Sequence, residues 1–369
     1  MKSFEYHFEP KVGWINDPNG LVYFKGEYHA FCQHFPYAPA WGIMHWGHAV
    51  SKDLLHWEEL PIALRPDQTY ENLGGCYSGS AIVKDDVLYL FYTSVSHHLG
   101  QTQSVAMSTD GRHFTKYAGN PIIASCPVDS GAPLGNKNFR DPKVTFIDGH
   151  YYMVCGSGAD GVGKLLLFTS DDLLHWEYVN ALLDDPAYGT VIECPDLFRL
   201  GDEYVLVFSY ITQDNGHAIH FMAGDFDGHS FTPRLHADPE AGPDFYAPQT
   251  FLAPDGRRLL MGWMYHWGKP LPPGSINAGA LSLPREVVVT ADDILLKPIA
   301  EAAPLLKEES PYVQYENGIL TISDGVKPVV TKAFPERPRI QVLEDNKAIE
   351  VFVNDGQWIA STWLADELL

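Results

Sequence analysis

The apolar positions of this chain come in short runs, broken at regular distances by turn-forming residues. Five stretches, DPNGLVYFKGEYHAFCQ, SGSAIVKDDVLYLFYTS, DPKVTFIDGHYYMVCGS, PDLFRLGDEYVLVFSY and PQTFLAPDGRRLLMGW, each read as a strand, a turn and an aromatic-rich return strand. Lys25-Gly26 and Asp255-Gly256 are two of those turns. A second repeat interleaves with the first. HAVSKDLLHWEEL (48–60) returns as LFTSDDLLHWEYV (167–179), with VAMSTDGRHFTKY (105–117) and FMAGDFDGHSFTP (221–233) as weaker copies. Each copy holds a strand, a polar turn and an aromatic, namely Trp57, Phe114, Trp176 and Phe231, at a spacing of roughly 60 residues. Pairing each hairpin with the repeat that follows it gives five four-stranded blades, the fifth completed from AGALSLPREVVVT onward. The expected fold is therefore all-β, a five-bladed β-propeller. Beyond about residue 290 the pattern changes to segments such as NGILTIS, RIQVLEDNKAIEVFVND and QWIASTWL, which predict a small C-terminal β-sandwich. The expected division is a propeller over 1–293, a linker or short helix over 294–310, and the sandwich over 311–369.

In a propeller the innermost strands line a central channel, so the residues that open each first hairpin converge on one axis. Asp17, Ser78, Asp141, Glu193 and Asp196 all fall at or just before that place. Taken alone, Asn16-Asp17-Pro18-Asn19-Gly20 is as well explained by a plain turn. A carboxylate at the same place in three separate blades is much harder to explain that way.

Composition narrows the ligand. Asp and Glu outnumber Lys and Arg by 47 to 25, and a formal charge of −22 repels nucleic acid and anionic membranes. A neutral small molecule is the easier partner. No run of 18 apolar residues is long enough to cross a membrane, and MKSFEYHFEP has no apolar leader, so the expected location is cytoplasmic. The five cysteines are widely spaced and form no CxxC, which argues against disulfides and against zinc. His45, His48 and His97-His98 lack ligand spacing, so neither a metal nor another cofactor is expected. Trp57 and Trp176 recur with the repeat and are assigned to blade packing.

Axial carboxylates suit glycoside hydrolysis, which uses one as nucleophile or base and another as general acid around an oxocarbenium-like transition state. Glu193, flanked by Ile192 and Cys194, is the expected acid, its pKa raised by apolar company.

The stretches WINDPNG, MHWGHAVSKDLLHWEELPIAL, YSGSA, FRDPKV, ECPDLF, DFYAPQTF and LSLPRE, spread over roughly residues 7–290, resemble glycoside hydrolase family 32, the β-fructofuranosidases. The resemblance implies Asp17 as nucleophile, Asp141 as transition-state stabiliser through the fructosyl hydroxyls, and Glu193 as acid/base. It places Asn16, Gln33, Trp41, Tyr77, Ser78 and Arg140 at matching motif positions as substrate-binding residues, and Asp244 and Trp263 at looser ones. The activity it implies is retaining release of terminal β-D-fructofuranosyl units from sucrose, sucrose 6-phosphate or short fructo-oligosaccharides. A fructosyl-aspartate would be the intermediate and no cofactor would be used. A homodimer is compatible with the resemblance, although the shortened sandwich puts an oligomer built through it in doubt. Competing readings are fructosyl transfer at the same site and an inverting arabinosidase or xylosidase of family 43. A catalytically silent sugar-binding propeller should have lost a carboxylate, and none is missing.

Overall fold

The computed structural model describes residues 2–128 and 136–365. Strands dominate it. Gly13–Phe24, Glu27–Phe35, His45–Ser51 and Glu58–Leu64 form the first antiparallel sheet in chain order. Gly75–Lys84, Val87–Ser96, Gly100–Ser108 and Thr115–Lys116 form the second in the same way. The third comprises Phe139–Ile147, His150–Ala159, Val162–Ser170 and Glu177–Asp184, and the fourth Val191–Leu200, Glu203–Ile211, His217–Phe226 and Phe231–Ala237. In the fifth, Tyr246–Leu252 and Arg258–Met264 are joined by Arg285–Val289 and Ile294–Pro298. The segment expected as a linker from 294 thus begins with the outermost strand of the fifth sheet. Its alternation Ile294-Leu295-Leu296 buries Ile294 and Leu296, and a short 3₁₀ helix, Ala300–Leu305, follows it.

Contacts between first strands run from sheet to sheet and return from the fifth to the first, which closes the ring. Residues at the axis are packed from both sides, so the first strand is almost wholly buried while the fourth, at the rim, is mostly not. Turn chemistry sets the hairpins. Lys25-Gly26 and Asp148-Gly149 have positive φ at both residues, the mirror-image turn that matches strand twist. The Ser-x-Asp repeat builds the connection between third and fourth strands. Ser51 Oγ accepts from Leu54 N (2.9 Å), Asp53 Oδ1 accepts from His56 N (2.8 Å), and Asp53 Oδ2 meets His56 Nδ1 (2.7 Å). The same bonds recur at Ser108-Asp110-His113 and Ser170-Asp172-His175. The residue after the aspartate is left-handed each time, as Leu54, Gly111 and Leu173.

After the propeller, two three-stranded sheets, 313–333 and 340–363, pack around Leu320, Ile322, Val342, Ile349, Val351 and Trp358. Buried ion pairs bolt this sandwich to the propeller. His7 sits between Asp345 Oδ2 (2.7 Å) and Glu350 Oε1 (2.8 Å), and Arg285 bridges Glu350 (2.5 Å) and Glu240 (2.7 Å).

Candidate active site

Every innermost strand loses register within the same short stretch. The breaks fall between Ile15 and Pro18, Tyr77 and Gly79, Arg140 and Lys143, Glu193 and Asp196, and Tyr246 and Gln249. Four of them contain a residue followed by proline: Asp17-Pro18, Asp141-Pro142, Cys194-Pro195 and Ala247-Pro248. Proline disfavours the helical basin for the residue before it and withholds an N–H from the ladder, so the strand bulges there. Asp141, Cys194 and Ala247 take positive φ within these bulges. A regular strand alternates its faces, but a bulge re-aims side chains, so two consecutive residues can face the axis. Asn16-Asp17, Tyr77-Ser78, Arg140-Asp141, Glu193 and Tyr246 line one cavity of about 290 Å³ in this way, together with Gln33, Trp41, Gln101, Asn138 and Trp267.

Asp17 is gripped on both oxygens. Ser78 Oγ donates to Oδ2 (2.5 Å) and Asn16 Nδ2 to Oδ1 (3.0 Å), while Trp14 Nε1 holds Asn16 Oδ1 (2.8 Å). Burial pushes the Asp17 carboxyl above its ordinary range, only partly offset by those donors, and the charge of Glu193 adds to the push. Asp141 Oδ2 accepts from Cys194 N (2.8 Å), whose left-handed backbone aims the N–H at it. Burial raises Asp141 to about 7, against the pull of Arg140 and with the help of Asp17 and Glu193. The Cys194 thiol lies between the two aspartates, 3.4 Å from Asp17 Oδ2 and 3.5 Å from Asp141 Oδ2, and burial lifts its pKa far above the ordinary thiol range.

Glu193 differs from its expected state. Burial pushes its pKa up, but Arg140, bonded to Oε1 through Nη2 (2.9 Å) and Nε (3.2 Å), and Tyr246 Oη, bonded to Oε2 (2.7 Å), more than cancel that and hold it below the usual value. Its sequence neighbours are apolar, yet its side chain points away from them. Arg140 is itself held by Gln101 Oε1 (3.3 Å) and Asn138 Oδ1 (3.2 Å).

The sequence model of the glycosyl hydrolases family 32 N-terminal domain matches residues 7–298. The chain belongs to glycosyl hydrolase family 32. A sucrose-6-phosphate hydrolase of Zymomonas mobilis is 36% identical over 354 residues, covering 88% of this chain and 66% of its own length. The raffinose invertase of Escherichia coli is 38% identical over 343 residues, covering 87% of this chain and 70% of the relative. A Bombyx mori β-fructofuranosidase superposes with a TM-score of 0.85 at 29% identity, covering 98% of this chain and 89% of the other. The chain spans about two thirds (66%) of the length of the Zymomonas enzyme it matches.

Of the residues expected at the site of this family 32 chain, Asp17, Asp141, Glu193, Asn16, Gln33, Trp41, Tyr77, Ser78 and Arg140 share the one cavity. Asp244 and Trp263 do not line it. Asp244 is fully buried, with its oxygens taken by His266 Nδ1 (2.7 Å), Lys269 Nζ (2.7 and 2.8 Å) and Trp363 N (2.9 Å), so it ties the propeller to the sandwich. Trp263 is also fully buried and packs edge-on against Trp14 and Trp267. Asp196, which the sequence also places at the axis, does not line the cavity; it is fully buried and salt-bridged to Lys143 (2.9 Å). Gln101, Asn138, Tyr246 and Trp267 line the cavity and were not foreseen. Tyr246 had a signal: in DFYAPQTF it stands two residues before proline, as Glu193 does in ECPDLF. Among the described residues no cluster of three His, Cys, Asp or Glu side chains is placed to hold a metal ion.

Proposed function

We propose that this chain is a retaining β-fructofuranosidase acting on sucrose, sucrose 6-phosphate or short fructo-oligosaccharides. The observation that carries the reading is the meeting of Asp17, Asp141 and Glu193 in one cavity beside a single guanidinium. Asp17, oriented by Ser78 and Asn16, attacks the anomeric carbon of the fructosyl unit while Glu193 gives a proton to the departing oxygen. The bond to the leaving group breaks as the ester to Asp17 forms. Glu193, now ionised, takes a proton from water, which attacks the ester and frees fructose and Asp17. Asp141 accepts hydrogen bonds from the sugar hydroxyls as positive charge develops on the ring. Fructosyl transfer would use the same intermediate with another acceptor. An inverting mechanism would free the opposite anomer, which NMR of the first-formed fructose distinguishes.

Glu193→Ala tests the assignment. On sucrose it should lose about 10²–10⁴ in rate, the usual worth of general acid–base help. On a fructoside with a nitrophenolate leaving group the first step should largely recover. The ester then accumulates, giving a burst of nitrophenolate followed by a slow phase that azide accelerates. Equal losses on both substrates, without burst or azide rescue, would make Glu193 a binding residue.

A further inference from the structure

A second cavity, of about 350 Å³, adjoins the first, and Tyr246 and Trp267 line both. His217, Trp263, Tyr265 and His266 supply much of the rest of its wall. The position of the junction matters. Tyr246 Oη donates to Glu193 Oε2, the carboxylate assigned to protonate the departing oxygen, so the cleft begins where the leaving group begins. Its surface is aromatic and well supported. Trp267 is 41% exposed, yet its ring is stacked on Trp14 (5.6 Å, 25°) and edge-on to Trp263 (5.1 Å), and His217 stands edge-on to Tyr246 (5.0 Å, 87°). A solvent-facing indole held from behind offers a flat apolar face to the C–H side of a sugar ring at little entropic cost.

Charge decides which sugar fits. Three basic side chains lie at or near the cleft: Lys269 Nζ reaches both oxygens of Asp244, His266 Nδ1 meets Asp244 Oδ1, and the His217 ring is turned edge-on to Tyr246. Arg140, the one cation lining the catalytic cavity among the described residues, is bonded to Glu193, Gln101 and Asn138. A phosphate entering here would meet three carboxylates next door and a chain of net charge −22. We propose that the aromatic cleft beyond Tyr246 is the leaving-group subsite and that it takes an uncharged hexosyl ring, so that neutral fructosides are preferred over phosphorylated ones. This rests on the fructosidase reading given above and narrows its substrate class.

The test compares kcat/KM of the full chain on sucrose, sucrose 6-phosphate and methyl β-D-fructofuranoside, whose methyl group is too small to use the cleft. Sucrose should exceed its 6-phosphate by about tenfold or more. Trp267→Ala should lower the ratio of sucrose to methyl fructoside by about tenfold, the worth of one good stacking contact. His217→Ala, on a different sheet, should move the ratio the same way, which keeps the test open if the tryptophan variant folds poorly. An unchanged ratio in both variants, or a preference for the phosphorylated sugar, would overturn the proposal. If that preference vanished in Lys137→Ala, next in sequence to Asn138 of the cavity wall, the phosphate would belong to Lys137 instead. Hydrolysis of none of the three substrates would overturn the fructosidase reading itself, and this proposal with it.

Discussion

At the seam between propeller and sandwich, Asp345, Glu350, Glu240, Glu9 and Asp244 each meet a cation: His7, Arg285, Lys347 or Lys269. In the axial cavity that Asp17, Asp141 and Glu193 line, Arg140 is bonded to Glu193 and pulls on Asp141. Both places are buried, yet Asp17 and Asp141 answer oppositely to the seam carboxyls and to Glu193, which Arg140 and Tyr246 hold low. Burial pushes Asp345 and Glu350 up, but the bonds from His7 and, for Glu350, the charge of Arg285 hold both below their ordinary values. Asp17 and Asp141 are pushed up because no partner of their own cancels the burial. His7 is the seam's counterpart to Asp141. Burial alone would lower its pKa, but the two carboxylates on its ring nitrogens raise it to about 9. Its contribution to stability is therefore complete below its ordinary 6.5 and is lost as pH rises through about 9. Matched burial of charge holds propeller and sandwich together; unmatched burial leaves carboxyls whose ionisation costs the fold free energy and whose reactivity the proposed chemistry can use.

The contrast can be broken most decisively at Asp17. Asp17→Asn is nearly isosteric and removes only a poorly compensated charge, so activity should fall by ~10⁴ or more while the urea midpoint stays or rises. Activity within tenfold of the unsubstituted protein would remove Asp17 as nucleophile. At the seam the effects exchange places. Arg285→Leu strands Glu350 and Glu240 without their guanidinium and should cost about 3–5 kcal/mol in urea unfolding, part of it recovered towards pH 5 as the stranded carboxyls take up protons. A loss below about 1 kcal/mol would show the seam pairs to be worth no more than surface ones.

Asp141→Asn falls between these two. With a folded pKa near 7 against an ordinary 3.8, the wild-type carboxyl penalises folding increasingly as pH rises from 3.8, and fully above about 7. Removing it should stabilise the chain by up to roughly 4 kcal/mol at pH 8 and by less at pH 5, with activity lost at both. Equal stabilisation at the two pH values would mean that Asp141 does not titrate as its burial implies.

The same contrast explains what the sequence could and could not reveal. Hairpins, turns and blade repeats are local: Lys25-Gly26 and Ser51-x-Asp53-x-x-His56 carry their hydrogen bonds within a few residues, and they are legible. The axial carboxylates are legible too, because the fold repeats and brings like positions together. Properties set by contact across blades are not. Glu193 was read from Ile192 and Cys194, but Arg140 and Tyr246, each 53 residues away, fix its protonation. Asp244 looked like a sugar ligand until the strand carrying Thr362 and Trp363 folded back on it from more than a hundred residues downstream. Ile294–Pro298 gave no warning that the fifth sheet lacked its outer strand without it.

Tyr246→Phe should give the smallest effect and sharpen the contrast most. The hydroxyl donates to Glu193, which favours the ionised carboxylate and lowers its pKa; deleting it must raise that pKa. In the proposed mechanism Glu193 is protonated in the first step, so the alkaline limb of the kcat/KM profile on sucrose should move upward, by about one pH unit for a bond to a charged group. The matching deletion at the seam is Ser361→Ala, since Ser361 Oγ donates to Glu240 Oε2 (3.0 Å) and accepts from Arg285 Nη2 (2.7 Å). That change should lower stability by about 1–3 kcal/mol and leave the pH–rate profile where it was. One hydroxyl on a carboxylate that only ties sheets together is then a stability element, and one on a carboxylate that exchanges a proton in the proposed reaction is a rate element. A limb that stays put in Tyr246→Phe, or moves downward, would mean that the protonation of Glu193 does not set the alkaline limit, and that the proton for the departing oxygen comes from another member of the cluster.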